Sequence, residues 1–364
     1  MIYASEALLY FCFAILMGHF ILRLVPADRR PDIAVPNGLL LACAIAIPVL
    51  SYMPIHQSAV LFAKEFETSY GEMVLSYLQD IKAGKAWIWT VLASLGLSAL
   101  LALPSFRNDK HMPKVGLFIT ALLIVWLGYA SHASTLYGTK GLLVHTAHFM
   151  AVSVWIGILL VVSWFSRGDG NWERMLVWFS PLAIGCFLIA LLAGLALMSF
   201  TTPAPEYIAS WMLPYGQMLL IKHLLLLPLL LFAYTNGFGY RAMLRQSSEF
   251  NLVPWLKAES AVALLLFVVT GALGQQTPPH TVRETLQTVS PSPLFTSIFR
   301  GSFSPDLALK LQPGMASILL IAAALVMLYG FISMYRSNRL LVASLMGLLA
   351  SVFGYFALMF GLTA

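Results

Sequence analysis

Ten stretches of this chain are so apolar, each for about 20 residues, that water is a poor environment for any of them. They run near residues 3–24, 36–55, 86–106, 115–135, 141–165, 175–200, 215–235, 253–275, 314–335 and 340–362. At about 1.5 Å per residue, such a run crosses the roughly 30 Å hydrocarbon layer as a single helix. Composition agrees, with 60% hydrophobic and 10% charged residues, against about 25% charged in a typical globular domain. The predicted fold is all-α, a polytopic transmembrane helical bundle of eight to ten spans, ten being the number the runs support. No loop is long enough to fold as a soluble domain, and neither a repeat nor a low-complexity tract stands out.

The formal net charge of +6 invites a nucleic-acid partner, but the placement of the charges excludes it. The basic residues fall in short loops between apolar runs, where they set topology. Arg23/Arg29/Arg30, Arg107/Lys110/Lys114, Arg167/Arg174, Arg241/Arg245/Lys257 and Arg336/Arg339 all fall on one side of a ten-span arrangement. By the positive-inside rule that side is the cytoplasm, and both termini are predicted outside. No basic residue precedes the first run, the reverse of a cleaved signal peptide, so that run is read as a retained helix. The organisation expected is 1–114 as N-terminal helices with an outer loop at 56–85, 115–280 as a four- to five-helix core, and 281–364 as an outer loop and two more helices. Cys12, Cys43 and Cys186 lie singly in apolar runs and are read as small core residues.

This topology sorts the eight histidines. His19 and His111 fall toward the inner side, whereas His56, His132, His145, His148, His223 and His280 fall at or near the outer one. By helical rise, His148 and His223 lie roughly 10 Å, and His132 and His145 roughly 5 Å, from the outer helix ends. His145 and His148 are i,i+3 neighbours on one helix face, and Trp155 continues that face inward. A polar group in hydrocarbon is costly unless paired, coordinated or wet, so this face is expected to turn toward the bundle interior. Lys222 and His223 are adjacent and point about 100° apart; the lysine either snorkels to the headgroups or stays inside as a fixed charge.

Imidazoles at matching depth suit Zn, Cu, Ni or Fe. Apart from Glu6 at an outer edge and Glu259 near an inner helix end, acidic residues avoid the apolar runs, which disfavours a carboxylate proton relay or a hard-cation cage. Copper fits best, as Cu(I) or Cu(II). Met53, Met198, Met212 and Met218 are candidate thioether ligands, and His56 and His280 a candidate entry site. No P-loop, GxSxG or HExxH motif points to an enzyme.

Several motifs then arrive in a recognisable order: Gly128-Tyr-Ala-Ser-His132; His148 followed by Trp155-Ile-Gly157; Phe179-Ser-Pro with Gly194; Pro214-Tyr-Gly216 with Leu220-Ile-Lys222; Asn236; Lys257-Ala-Glu259; and Gln276-Thr-Pro-Pro279. Over residues 115–280 the chain resembles the copper resistance D (CopD) family of bacterial inner-membrane proteins. It departs at Ile158, where the family carries a second glycine, and His145 and His223 do not transfer from the family pattern. The resemblance implies copper transport across the cytoplasmic membrane in the direction of uptake, with His132 and His148 carrying the match. It also implies an outer-side copper chaperone of CopC-like type as partner, beside the membrane lipid itself. His145 joins the expected set by helix geometry and His223 by depth. Two other classes stay open: a b-type haem protein with His148 and His223 as axial ligands, and a copper-binding sensor or assembly factor that does not transport.

Overall fold

A computed structural model describes residues 2–168, 170–240, 242–243, 250–279 and 281–363. Ten of the described helices are long and apolar enough to cross a membrane, as the runs predict. The chain divides into two compact units, Met1–Leu197 and Met198–Ala364.

The first unit contains α1 (Ile2–Leu24), α2 (Asn37–Ser51), α3 (Met53–Glu65), α4 (Tyr70–Asp80), α5 (Lys82–Ala102), a short α6 (Pro104–Arg107), α7 (Met112–Ala130) and α8 (His132–Phe165). It also holds most of α9 (Trp172–Thr201). Helices α1 and α8 cross backbone to backbone. A methyl group built on Gly18 would collide with the Gly157 carbonyl, and one on Gly157 with the Ala14 carbonyl. Lipid supplies no hydrophobic drive between helices, so close approach through small residues does the packing instead. Ile158, the departure from the family's double glycine, is fully buried next to this crossing. A two-residue ladder, β1 (Asp32–Ile33) with β2 (Ser166–Arg167), ties the loop after α1 to the end of α8. Trp178 Nε1 donates to the Arg29 carbonyl at 2.9 Å and anchors the start of α9 against the same loop.

Residues 56–85, expected to be an outer loop, are mostly helical. Helix α3 continues directly from α2 beyond Tyr52, and α4 begins at a full capping box in which Ser69 and Glu72 satisfy each other's backbone N–H groups. These hydrogen bonds hold the exposed Glu72 carboxyl below its ordinary range. Phe62 lies 6.4 Å from Tyr77 in a stacked arrangement that closes the hairpin. Mixed charge hid two short amphipathic helices there.

The second unit contains α10 (Pro214–Tyr234), which runs into a π-helical segment at Thr235–Gly239, then α11 (Val253–Gly274), the short α12 (Val282–Thr285) and α13 (Pro293–Ile298), and the pair α14 (Met315–Arg336) and α15 (Leu340–Phe360). Residues 276–313 are partly irregular, as expected, and end in β3 (Lys310–Leu311), which pairs with β4 (Leu362–Thr363). One polar side chain organises this interior. Gln217 is 0% exposed; its Nε2 donates to the Trp211 carbonyl at 2.6 Å, and its Oε1 accepts from the Tyr355 hydroxyl at 2.6 Å. Gln217→Leu is expected to strand both partners and cost about 1–3 kcal/mol, read as an earlier unfolding midpoint in detergent by tryptophan fluorescence.

Candidate functional site

The sequence places His132 late in one helix, but α7 stops at Ala130. Ser131 then turns extended and caps the next helix, its hydroxyl accepting from the Ser134 N–H. His132 is therefore the first residue of a short exposed turn of helix. That turn ends at Gly138, whose φ of 56° falls in the left-handed region that glycine adopts without strain. It folds back onto Gly141, where any side chain would strike the Ala133 carbonyl. Lys82 Nζ donates to the Ser134 carbonyl at 3.3 Å and sets a positive charge beside this turn. His132 thus belongs to a surface cap over the helix that carries His145 and His148, not to a span.

His145 and His148 are both partly buried, on the continuous part of α8. His148 reaches α9: its Nδ1 lies 2.7 Å from the Ala190 carbonyl oxygen. A carbonyl only accepts, so Nδ1 carries the proton and Nε2 holds the lone pair. The ring packs against Gly194, where an added methyl would sit 3.2 Å from Cε1 and 3.4 Å from Nδ1. One turn of α9 thus supplies both an acceptor and a vacant side-chain position for the imidazole. Trp155, 5% exposed, meets Phe187 of α9 edge-to-face at 5.9 Å and fixes the same interface deeper in.

His223 belongs to the second unit, where its Nδ1 lies 2.8 Å from the Tyr207 hydroxyl. A phenol both donates and accepts, so this contact leaves the tautomer open. Burial raises the Tyr207 hydroxyl above its ordinary pKa. Lys222 is partly buried on α10. His56 is exposed and bonded through Nδ1 to the Tyr70 hydroxyl at 2.9 Å, which is itself 2.8 Å from the Tyr52 hydroxyl. His280 lies outside the described residues.

The methionines divide by environment. Met53 and Met218 are partly buried, as is Met198 near the end of α9. Met212 is 1% exposed in an apolar cluster with Trp211, Leu213, Leu220 and Phe295, where its thioether is a packing group. Among the described residues, no three His, Cys, Asp or Glu side chains gather as a ready metal cage.

Asn236 and Glu259, which the sequence reading set near separate helix ends, come together as a buried polar pair. Glu259 is buried within α11, and its Oε2 accepts from Asn236 Nδ2 at 2.8 Å. Asn236 Nδ2 also reaches the Trp255 carbonyl at 3.3 Å, from the π-helical segment after α10. The partners stand 23 residues apart, so only helix packing reveals the pair.

Comparison with known proteins gives two family matches. The profile described as "Copper resistance protein D" matches residues 173–273, and that of the "Copper resistance protein D-like, N-terminal domain" matches residues 1–142. His132 lies in the second of these, and Lys222, His223, Asn236 and Glu259 lie in the first; His145, His148 and Trp155 fall between the two. Among curated proteins, the inner membrane protein YebZ of Escherichia coli (strain K12) is 24% identical over 211 residues, covering 54% of this chain and 69% of that protein. No solved structure matches.

Proposed function

Because the chain belongs to the copper resistance protein D family, as a multi-pass protein of the bacterial inner membrane, we propose that it carries copper across that membrane. Uptake is the direction we assign. The substrate is a copper ion, handled on the α8–α9 face by His148, with His145 one helical turn away on the same side. The observation that carries this reading is the bond from His148 Nδ1 to the Ala190 carbonyl. Metal-ligating histidines characteristically donate one ring N–H to a carbonyl or carboxylate, which fixes the tautomer and makes the other nitrogen a better ligand. Neutral imidazole without carboxylate suits copper in either oxidation state.

His132, on its exposed cap, and His56, at the α3–α4 hairpin, serve in this reading as accessory contacts during entry. Met53, three residues before His56 on α3, is the thioether that accompanies it. His223, with Lys222 beside it, forms a separate contact in the second unit. Copper in solution is scarce and reactive, so a soluble outer-side chaperone of CopC-like type is the delivering partner.

Purified protein in sealed proteoliposomes tests the reading. Time-dependent accumulation of copper inside the vesicles, above that of empty vesicles, is the expected result. Tight copper binding without accumulation would convert the assignment to a sensor or assembly factor. A stoichiometric haem with an intense Soret band would replace it with a b-type haem protein. Copper stoichiometry of His132→Ala, His148→Ala and His223→Ala then ranks the contacts, and an unchanged value in all three removes the histidine site.

A further inference from the structure

At the opposite end of the first unit from the α8 cap, four spans meet around a cavity of about 200 Å³. It lies where α1 and α5 end and α2 and α7 begin, at the level where apolar runs give way to loops. Its polar lining consists of Arg23 and Arg107 with His19, Asn37 and Asn108, and among the described residues no carboxylate lines it. Of the nearby acids, Asp32 acts on Arg30 rather than on the lining arginines. Asp28 pairs with Arg174 at 3.8 Å, and Asp109 accepts from the His111 N–H at 2.7 Å.

Two buried polar atoms are left without partners here. They are His19 Nδ1 and Asn37 Oδ1, the latter on a side chain whose Nδ2 donates to the Leu101 carbonyl at 3.2 Å. Neighbouring Arg30 points its guanidinium at the Val25 and Pro31 carbonyls. Burial, and then repulsion from Arg23, lower its hold on its proton. Arg23 and Arg107 themselves make no ion pair among the described residues. The α2 N-terminus adds partial positive charge here, since Pro36 leaves that helix end with no side-chain cap.

We propose that this pocket binds a phosphate-bearing anion, with Arg23 and Arg107 clamping the phosphate from two sides. Guanidinium forks match phosphate oxygens in pairs, and basic pockets between spans at the membrane surface are sites for acidic phospholipid headgroups. The same chemistry accepts free phosphate. A lipid bound here staples α1, α2, α5 and α7 together at one membrane surface.

The test uses the full chain in nanodiscs of phosphatidylcholine, with and without phosphatidylglycerol, read as thermal unfolding midpoint. A rise in midpoint with phosphatidylglycerol is expected for wild type, and its absence in the double variant Arg23→Gln/Arg107→Gln. The control Arg174→Gln, outside the pocket, is expected to respond as wild type does. A second arm titrates inorganic phosphate into phosphatidylcholine discs; an Arg23- and Arg107-dependent rise there, without one for the lipid, keeps the anion site and assigns it to free phosphate. Equal responses of wild type and double variant to both anions, or no response of wild type to either, overturn the proposal. Should the double variant fail to fold, the wild-type arms still decide between a bound anion and none. In the single variant Arg107→Gln, an apparent lipid affinity reduced about tenfold is the supporting result, and an unchanged affinity the contrary one.

Discussion

Gly157→Leu is expected to abolish the folded protein rather than to weaken a site. The Gly157 position faces the Ala14 carbonyl, and Gly18 faces the Gly157 carbonyl, so neither helix has room for a side chain between them. Leucine would force α1 and α8 apart toward the ordinary helix separation of about 8–10 Å. It would undo the packing that buries Phe13, Ile15, Leu16 and Met17 on one helix and Ile158 to Val162 on the other. A separation of that size costs more than the few kcal/mol of overpacking in a yielding core, because both partners are backbone. The measurement is monodisperse yield in mild detergent, with wild type beside Gly157→Ala and Gly157→Leu. A leucine variant that purifies and unfolds as wild type does would show that the two helices are not held by this crossing.

The second large effect is on copper. His148→Ala removes the ligand we assign, and an affinity loss of about 100-fold or more is expected by equilibrium binding. The sharper experiment leaves the histidine in place. Gly194→Leu fills the space where His148 Cε1 and Nδ1 rest and pushes the ring off the Ala190 carbonyl. Loss of such an orienting contact typically costs 10–100-fold in metal affinity, so this variant is expected to fall within about that range. Gly194→Ala, whose methyl needs a shift of only a few tenths of an ångström, is expected to lose little. If Gly194→Leu folds and binds copper as wild type does, the α9 contact has no part in the site.

A good deal of this was legible in order along the chain. The ten spans follow from lipid's demand for uninterrupted apolar length, and every one is present as a helix. The family resemblance followed from motif order over residues 115–280, and the N-terminal profile match extends it to residues 1–114, where no motif had been recognised. The i,i+3 relation of His145 and His148 is a property of any helix and needed no structure.

What sequence could not supply depends on which helix lies against which. Ser131 and Gly138 turn His132 out of the span because a cap and a left-handed residue end a helix that hydropathy alone would continue. The mixed charge of residues 56–85 reads as loop because short amphipathic helices carry weak apolar signals, whereas the capping box at Ser69 specifies one. Met212 has the same chemistry as any other thioether until its surroundings are known. Glu259 and Asn236 look like helix-end residues until α10 and α11 are packed.

The amino-acid sequence by itself determined the membrane, the number of spans and the family, because those rest on length, apolarity and local order. Only the tertiary structure decided that His148 carries its proton on Nδ1, through a carbonyl 42 residues away. The physical reason is that a tautomer is set by the partner of a ring nitrogen, and that partner belongs to a different helix.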